Sequence, residues 1–265
     1  MTDQAVYMYA VARDLDPGVL AGVTGVAGEP VRAVADGRLS ALVGTVPTGE
    51  YGEDALRANL EDLAWLEATA RAHHDVVDRA AHVAATAPVR IATLYRDDAR
   101  VAALLAERHE QFDRVLAGVT GRSEWGVKAY SHPDPQPKTP VAEEPPPDTG
   151  TGAGAGVGTA YLRRRQAAQR ARHDAHRRDA AQAQAVHAEL CEHALASRTH
   201  PPQDPRLSGR DGTPILNVAY LLDDDHADAF AAAVGDIDAR LPGVTVELTG
   251  PWPPYSFIEG IGEAP

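Results

Sequence analysis

Cysteine is almost absent from this sequence of 265 residues, which contains only Cys191. A single thiol excludes an internal disulfide framework and any zinc cluster built from the cysteines of one chain. Aromatic residues are also scarce, at 5% of the chain, so we expect a core of leucine, valine and alanine without a bulky aromatic pocket. Phosphate-binding glycine motifs and the serine nucleophile motif do not occur. We therefore expect no catalytic site, metal or cofactor.

Long apolar runs are missing as well. No window approaches the roughly 18 apolar residues that a membrane-spanning helix needs. The first four residues, Met-Thr-Asp-Gln, lack the basic start of a signal peptide. Together with the single cysteine, these features predict a cytoplasmic protein that does not associate with membranes.

Acidic residues outnumber basic residues by 38 to 25, which gives a formal net charge of -13 at pH 7. This balance disfavours a dedicated nucleic-acid-binding protein, because phosphate neutralisation requires a basic surface. The charge is uneven, however, since residues 161–178 contain seven arginines and only one acidic residue, Asp174. The arginines of this basic block are Arg163, Arg164, Arg165, Arg170, Arg172, Arg177 and Arg178.

Two interpretations of the basic block are open. It is either a docking face for an acidic partner or nucleic acid, or a solvated helix that pairs with acidic residues of its own chain. Base-stacking aromatics are nearly absent from the block, which favours a protein partner over nucleic acid.

The first 121 residues are expected to form an N-terminal α+β domain. Asp36-Gly37 between two apolar runs predicts a tight hairpin. Apolar residues at helical spacing predict one long helix over 53–86, and residues 89–95 alternate as a strand does. The apolar stripe of the predicted helix consists of Leu56, Leu60, Leu63, Leu66, Ala70, Val77, Ala81 and Ala84.

The composition changes abruptly between Ser131 and Gly158, where prolines are followed by alternating glycines. Such a segment buries too little apolar surface to offset its ordering entropy, which predicts a disordered insertion over 131–158. The elements around it follow the β-α-β-β-α-β order of a ferredoxin-like domain. We therefore predict an α+β protein with domains at 1–121 and 122–250, followed by a tail at 251–265.

The residues most suggestive of catalysis are His74, Asp78 and His82, which follow one another at intervals of four. This spacing places them on one face of the predicted helix. Imidazole and carboxylate groups are zinc ligands, so a metal-dependent enzyme is one alternative function. The other interpretation is the polar face of an amphipathic helix, since three ligands over two turns need a second segment to converge on one ion.

The C-terminal tail concentrates aromatic residues, with Trp252, Tyr255 and Phe257 within six positions. Three prolines in the same segment hold its backbone near polyproline II. Rigid aromatic side chains are good anchors, either within the fold or against a partner. The candidate partner-binding residues are Trp252, Tyr255 and Phe257 of the tail and Arg163, Arg164 and Arg165 of the basic block.

Residues 248–257 read Leu-Thr-Gly-Pro-Trp-Pro-Pro-Tyr-Ser-Phe, and this run resembles the C-terminal signature of the GvpL/GvpF family of gas vesicle accessory proteins. Further segments agree with the family in the same order, at 6–11, 88–95, 125–130, 158–165 and 216–222. The resemblance covers both predicted domains. The chain departs from the family pattern in its Pro/Gly insertion and at Ile91-Ala92, where a Phe-Gly pair is more usual.

The resemblance implies a two-domain α+β protein with a ferredoxin-like C-terminal domain and no catalytic residues. Members of the family are regarded as minor vesicle components that bind the small hydrophobic shell protein and limit its aggregation before or during nucleation. We accordingly expect a gas vesicle location, with the shell protein and other accessory proteins as partners. A nucleic-acid-binding function that uses the basic block at 163–178 is the remaining alternative.

Overall fold

The computed structural model describes residues 4–132, 154–201 and 212–258. It confirms an α+β chain. Contacts divide the chain into two compact units. The first unit contains residues up to Trp125, Leu221–Asp225 and the segment from Thr249 onward. The second unit contains Gly126–Tyr220 and His226–Leu248. The predicted domains separated residues 251–265 as a tail, whereas the contacts group this segment with the start of the chain.

The first unit is built on a sheet of five strands. These are β1 (Gln4–Arg13), β2 (Val31–Asp36), β3 (Leu39–Pro47), β4 (Thr86–Pro88) and β5 (Leu94–Tyr95). The strand order is β2-β3-β1-β4, and β5 pairs with the same central strand, β1. Its helices are α1 (Thr48–Tyr51), α2 (Glu53–Asn59), α3 (Leu63–Ala81), α4 (Asp98–Glu107) and α5 (His109–Val119).

Both faces of this sheet are buried. A bulge in β1 between Met8 and Ala10 shifts its register against β3, so Tyr7 and Tyr9 share one face with Ala10, while Met8 faces the other way. Helix α3 covers the tyrosine face, and helices α4 and α5 cover the opposite face. The core of the first unit is therefore three layers thick.

The predicted hairpin is confirmed, because β2 and β3 pair in antiparallel register with Asp36 opposite Leu39. The predicted helix over 53–86 is wrong in two respects, since it breaks between α2 and α3 and since α3 ends at Ala81. The side chain of Asp62 accepts hydrogen bonds from the backbone N–H groups of Ala64 and Trp65 and so begins a new helix. The buried residues of α3 are Thr69, His73, Val76, Val77 and Ala80.

The strand predicted over 89–95 is also wrong. Two short strands, β4 and β5, pair with β1 at its Ala10–Ala12 and Val6–Tyr7 sections, and a turn at Ile91 and Ala92 separates them. Ala92 has a positive φ of 64°. Its N–H donates a hydrogen bond of 3.0 Å to the Tyr7 hydroxyl.

The second unit carries a four-stranded sheet. Its elements in chain order are β6 (Arg122–Ser131), α6 (Gly154–Cys191), β7 (Ala196–Thr199), β8 (Thr213–Asp223), α7 (Ala227–Arg240) and β9 (Val244–Trp252). The strand order in the sheet is β7-β8-β6-β9.

The predicted insertion at 131–158 falls largely outside the described residues, at 133–153. Its ends need correction. Ser131 is the last residue of β6, and α6 begins at Gly154, so the helix includes three glycines although glycine is a poor helix former.

Candidate functional site

The tail of the chain docks on the first unit. After β9 ends at Trp252, a 3-10 helix follows over Tyr255–Phe257. The N–H and hydroxyl of Ser256 both donate hydrogen bonds to the buried Glu124 carboxylate, each at 2.7 Å. Two bonds to one carboxylate fix the tail in a single position.

Tyr255 is the inward anchor of the tail. Its ring lies 6.3 Å from the rings of both His73 and His74 on helix α3, and it packs against the core cluster on the tyrosine face of the sheet. Its hydroxyl is buried and has no hydrogen-bond partner in the part of the chain that the structure describes. Burial raises the pKa of this hydroxyl above its usual value of 10.0.

A buried aromatic cluster lies beneath Tyr255. Tyr7 and Tyr9 are fully buried with ring centroids 4.9 Å apart, and the Tyr7 hydroxyl lies 3.0 Å from Nδ1 of His73. Because this hydroxyl accepts the Ala92 N–H, its own proton is available to Nδ1 of His73. Burial, with a smaller effect of His74, lowers the pKa of His73 from 6.5 to about 4. His73 is therefore neutral at pH 7.

Trp252 is the outward residue of the tail. Its ring meets the ring of His74 edge to face at 5.3 Å, and it remains 41% exposed. Phe257 is half-buried. Of the three predicted aromatic anchors, only Trp252 presents a large apolar surface to solvent.

A groove of about 450 Å³ lies beside Trp252. One wall is the tail segment Pro251–Pro254, and the other is formed by the end of α3 and the following residues 83–86. Val83 lines this wall and is 60% exposed. The charged side chains of Asp78, Arg122 and Asp224 also line the groove. The result is an apolar strip between Val83 and Trp252 with charged residues around it.

The predicted metal set is not assembled. His74, Asp78 and His82 do not form a group whose ligand atoms all lie within 4.8 Å of one another. The His74 ring packs against Trp252 and Tyr255 instead. His82 bonds through Nδ1 to the backbone carbonyl of Asp78 at 2.7 Å. These residues hold the tail and end the helix, so the metal-enzyme alternative has no support.

The predicted basic residues lie on the first third of α6, where Arg163 and Arg165 are exposed. The side chain of Arg164 lies outside the described residues. Exposure of these two side chains alone gives the nucleic-acid alternative no specific support.

His73, Glu124 and Val83 belong to the site but were not predicted from the sequence. His73 precedes the buried Val76, Val77 and Ala80 by three, four and seven positions, which is the spacing of one helix face. The predicted residues Asp78 and His82 lie on a more exposed side of the same helix. Val83 carries no signal of its own, because its exposure depends on where the chain turns after α3.

Fold and site together define a class of protein, an α+β protein whose own C-terminal segment forms one wall of an apolar groove on its N-terminal unit. None of the helices in the described part of the chain has the length and apolarity required to span a bilayer. The family model for "Gas vesicle synthesis protein GvpL/GvpF" matches residues 5–259. The chain belongs to this family of gas vesicle assembly accessory proteins.

Relatives of known name support the assignment. The chain is 43% identical to gas vesicle protein L of Streptomyces sp. (strain CB03234) over 262 residues, covering 99% of this chain and 95% of the relative. It is 29% identical to gas vesicle protein F of the same strain, covering 96% of this chain and 100% of the relative.

Solved structures show the same fold. The crystal structure of gas vesicle protein GvpF from Anabaena sp. PCC7120 matches with a TM-score of 0.67 and 18% identity, covering 97% of this chain and 96% of that one. GvpF from Microcystis aeruginosa matches with a TM-score of 0.65 and 16% identity, covering 96% and 99%.

Proposed function

We propose that this chain is a non-enzymatic accessory protein that binds the small hydrophobic shell protein of gas vesicles and limits its aggregation before or during nucleation. It acts at the vesicle, together with other accessory proteins. The observation that supports this proposal most directly is the groove between Val83 and Trp252, because an exposed apolar strip with charged edges suits an amphipathic partner.

Charge supports the same proposal. A chaperone for an aggregating subunit must stay dispersed when loaded, and a formal net charge of -13 keeps neighbouring complexes apart. The groove supplies apolar contact while the rest of the surface supplies repulsion. Reversible capture requires both properties.

We also infer that the second unit is a ferredoxin-like domain. The chain order β-α-β-β-α-β and the sheet order β7-β8-β6-β9 support this inference. The basic segment of α6, with Arg163, Arg164 and Arg165, is proposed as a second contact surface, directed at an acidic protein. Its exposure supports that role for Arg163 and Arg165.

The groove is tested by the double variant Val83→Ser/Trp252→Ala. We expect co-purification of the shell protein to fall at least about tenfold, because an exposed tryptophan at the centre of an interface carries a large share of its binding energy. Val83 is 60% exposed and Trp252 is 41% exposed, so the melting temperature should fall only modestly, through loss of the tryptophan contact with His74.

The matched control is Leu63→Ala/Leu195→Ala. These two leucines are 68% and 51% exposed and do not line the groove. We expect this variant to capture the shell protein as the wild type does. If the groove variant remains folded and captures normally, the groove is not the binding surface.

A further inference from the structure

A second pocket, of about 310 Å³, lies on the first unit away from the tail. Its walls include the rings of Tyr51 and Trp65, 5.3 Å apart, and Glu50 lies at its edge. Small residues leave the space open. They are Gly25, Ala27, Gly28, Ala68 and Ala72.

The chemistry of this pocket suits a cationic side chain. The Trp65 indole N–H donates a 2.8 Å hydrogen bond to Oε1 of Glu50, which holds the ring and the carboxylate together. An aromatic face next to a carboxylate attracts a guanidinium group through two interactions: a cation–π interaction with the ring and an ion pair with the carboxylate. An arginine is therefore the side chain that this pocket fits best.

The surface around the pocket is acidic. Residues 48–72 contain six carboxylates and only two arginines. Both arginines are already paired with neighbours on their own helices, Arg57 with Glu53 and Arg71 with Glu67. Asp54 and Glu61 are exposed and extend the negative surface from α2 to the start of α3. We call this surface, formed by residues 48–72, the acidic face.

The basic block of α6 has the opposite charge. The packed side of this helix is marked by Asp179, Val186 and Leu190, of which Asp179 accepts a 2.7 Å hydrogen bond from Ser131. At 100° per residue, Arg170 and Arg177 lie on the opposite, outward side, seven positions or about 10.5 Å apart. Arg163 continues the same stripe, and all three side chains are exposed.

We propose that the outward stripe of α6 in one copy docks on the acidic face of a second copy of this chain, with one arginine in the Tyr51–Trp65 pocket. In this proposal the acidic partner of the basic segment is a second copy of the chain. The proposal rests on the part of the proposed function that assigns the basic segment to an acidic protein. It does not involve the groove at Trp252. Charge complementarity supports this contact, because three exposed arginines of the stripe, Arg163, Arg170 and Arg177, would meet a surface on which six carboxylates outnumber two arginines.

The contact is head-to-tail. Each copy offers one stripe and one acidic face, so the two partners use different surfaces. Such a heterologous contact leaves an unused stripe at one end and an unused face at the other. Association should therefore continue beyond a pair as concentration rises.

The test is the average mass in solution by light scattering and sedimentation. Wild-type protein at about 100 µM and low salt should exceed the monomer mass, and about 0.5 M salt should reverse this, because exposed charges are screened. The variant Arg170→Glu/Arg177→Glu should weaken association at least about tenfold. Wild-type protein that stays monomeric under these conditions would overturn the proposal.

The control variant is Arg165→Glu/Arg172→Glu. It makes the same change in charge on the other side of the helix, because these residues are two positions away from Arg163 and Arg170. We expect association within about threefold of wild type. An equal loss in both variants would show only a general charge effect and contradict docking through the outward stripe.

Mixing two variants, one with an altered stripe and one with an altered acidic face, tests whether the stripe and the face contact each other directly. Asp54→Arg/Glu61→Arg disables the acidic face and should also be monomeric alone. Mixed with Arg170→Glu/Arg177→Glu, it still has an intact stripe, and its partner has an intact face, so a heterodimer should form. A mixture that remains monomeric, with both variants folded, would contradict the proposal.

The pocket itself is tested by Glu50→Gln. The amide oxygen can still accept the Trp65 N–H, so the pocket keeps its shape while losing its charge. We expect association to weaken about five- to tenfold, with shell-protein capture unchanged. Unchanged association would remove the pocket from the contact. Because capture is measured separately, failure here and failure of the groove proposal give different results.

Discussion

His73 is a buried neutral imidazole in a protein whose other described histidines are more accessible. It sits between the Tyr7 hydroxyl and the rings of Tyr9 and Tyr255. Burial lowers its pKa to about 4, whereas the unfolded chain should titrate near 6.5. The folded state therefore excludes a proton that the unfolded state accepts.

This difference predicts the pH dependence of stability. The contribution of His73 is fully present above about pH 6.5 and is lost as the pH falls from about 6.5 to about 4, by about 3 kcal/mol in total. Urea unfolding at about pH 7.5 and about pH 5 should show a loss that His73→Gln reduces, because glutamine accepts the Tyr7 hydroxyl without titrating. Equal losses in the two proteins would assign the effect to other groups.

Ala92 occupies a backbone conformation that suits glycine, with φ of 64°. A side chain in this left-handed region costs about 1–2 kcal/mol, and glycine returns part of that through the greater freedom of the unfolded chain. The turn is nevertheless maintained by the bond from its N–H to Tyr7. In the GvpL/GvpF family pattern glycine is the more usual residue at this position. The positive φ of Ala92 explains why, because glycine adopts this conformation without a steric penalty.

We expect Ala92→Gly to raise the free energy of unfolding by about 0.5–1 kcal/mol. Urea denaturation monitored by circular dichroism measures this change. Ala106→Gly, at an exposed position in α4, should lower the free energy by about 0.5–1 kcal/mol. If both substitutions destabilise equally, the turn does not carry the strain described here.

At the scale of elements, the two sides of the tail have different structural roles. Its inner side, Tyr255 and Ser256, completes the first unit through ring packing and the Glu124 bonds. Its outer side, Trp252, borders the groove. Substitutions on the two sides should therefore separate stability from binding.

Tyr255→Ala should lower the free energy of unfolding by about 2–4 kcal/mol, because it leaves a cavity over His73. Tyr255→Phe removes only the hydroxyl that lacks a partner among the described residues, so it should be neutral or stabilising by about 1 kcal/mol. Thermal and urea unfolding measure both changes. A large loss with phenylalanine would mean that the hydroxyl is hydrogen-bonded in solution.

Helix boundaries illustrate which elements the sequence could predict. Periodicity located α3 correctly over most of its length, because Val77 and its neighbours repeat at helical spacing. It joined α2 to α3, because Leu60 and Leu63 are apolar and fit the stripe, and it also extended the helix beyond Ala81, the last residue of α3. They are 44% and 68% exposed, and the Asp62 cap overrides the pattern.

At the scale of the whole molecule, the α+β class and the aromatic tail could be predicted from sequence. The docking position of the tail could not be predicted, because composition indicates that Tyr255 needs a docking surface but does not identify that surface. That surface is the face of β1 on which Tyr7 and Tyr9 pack beneath α3. The groove forms only when Tyr255 is docked on this surface. It could therefore not be predicted without first knowing where the tail packs.

The first unit is assembled from both ends of the chain, and this determines when it can be finished during synthesis. Residues 126–248 are synthesised after all five strands of this sheet and before Tyr255. At a translation rate of about 5–20 residues per second, His73 remains uncovered by Tyr255 for roughly ten seconds. A chain that ends early never acquires Trp252 or Ser256 and never builds the groove. If the groove binds the shell protein as proposed, only chains synthesised through the tail are able to do so.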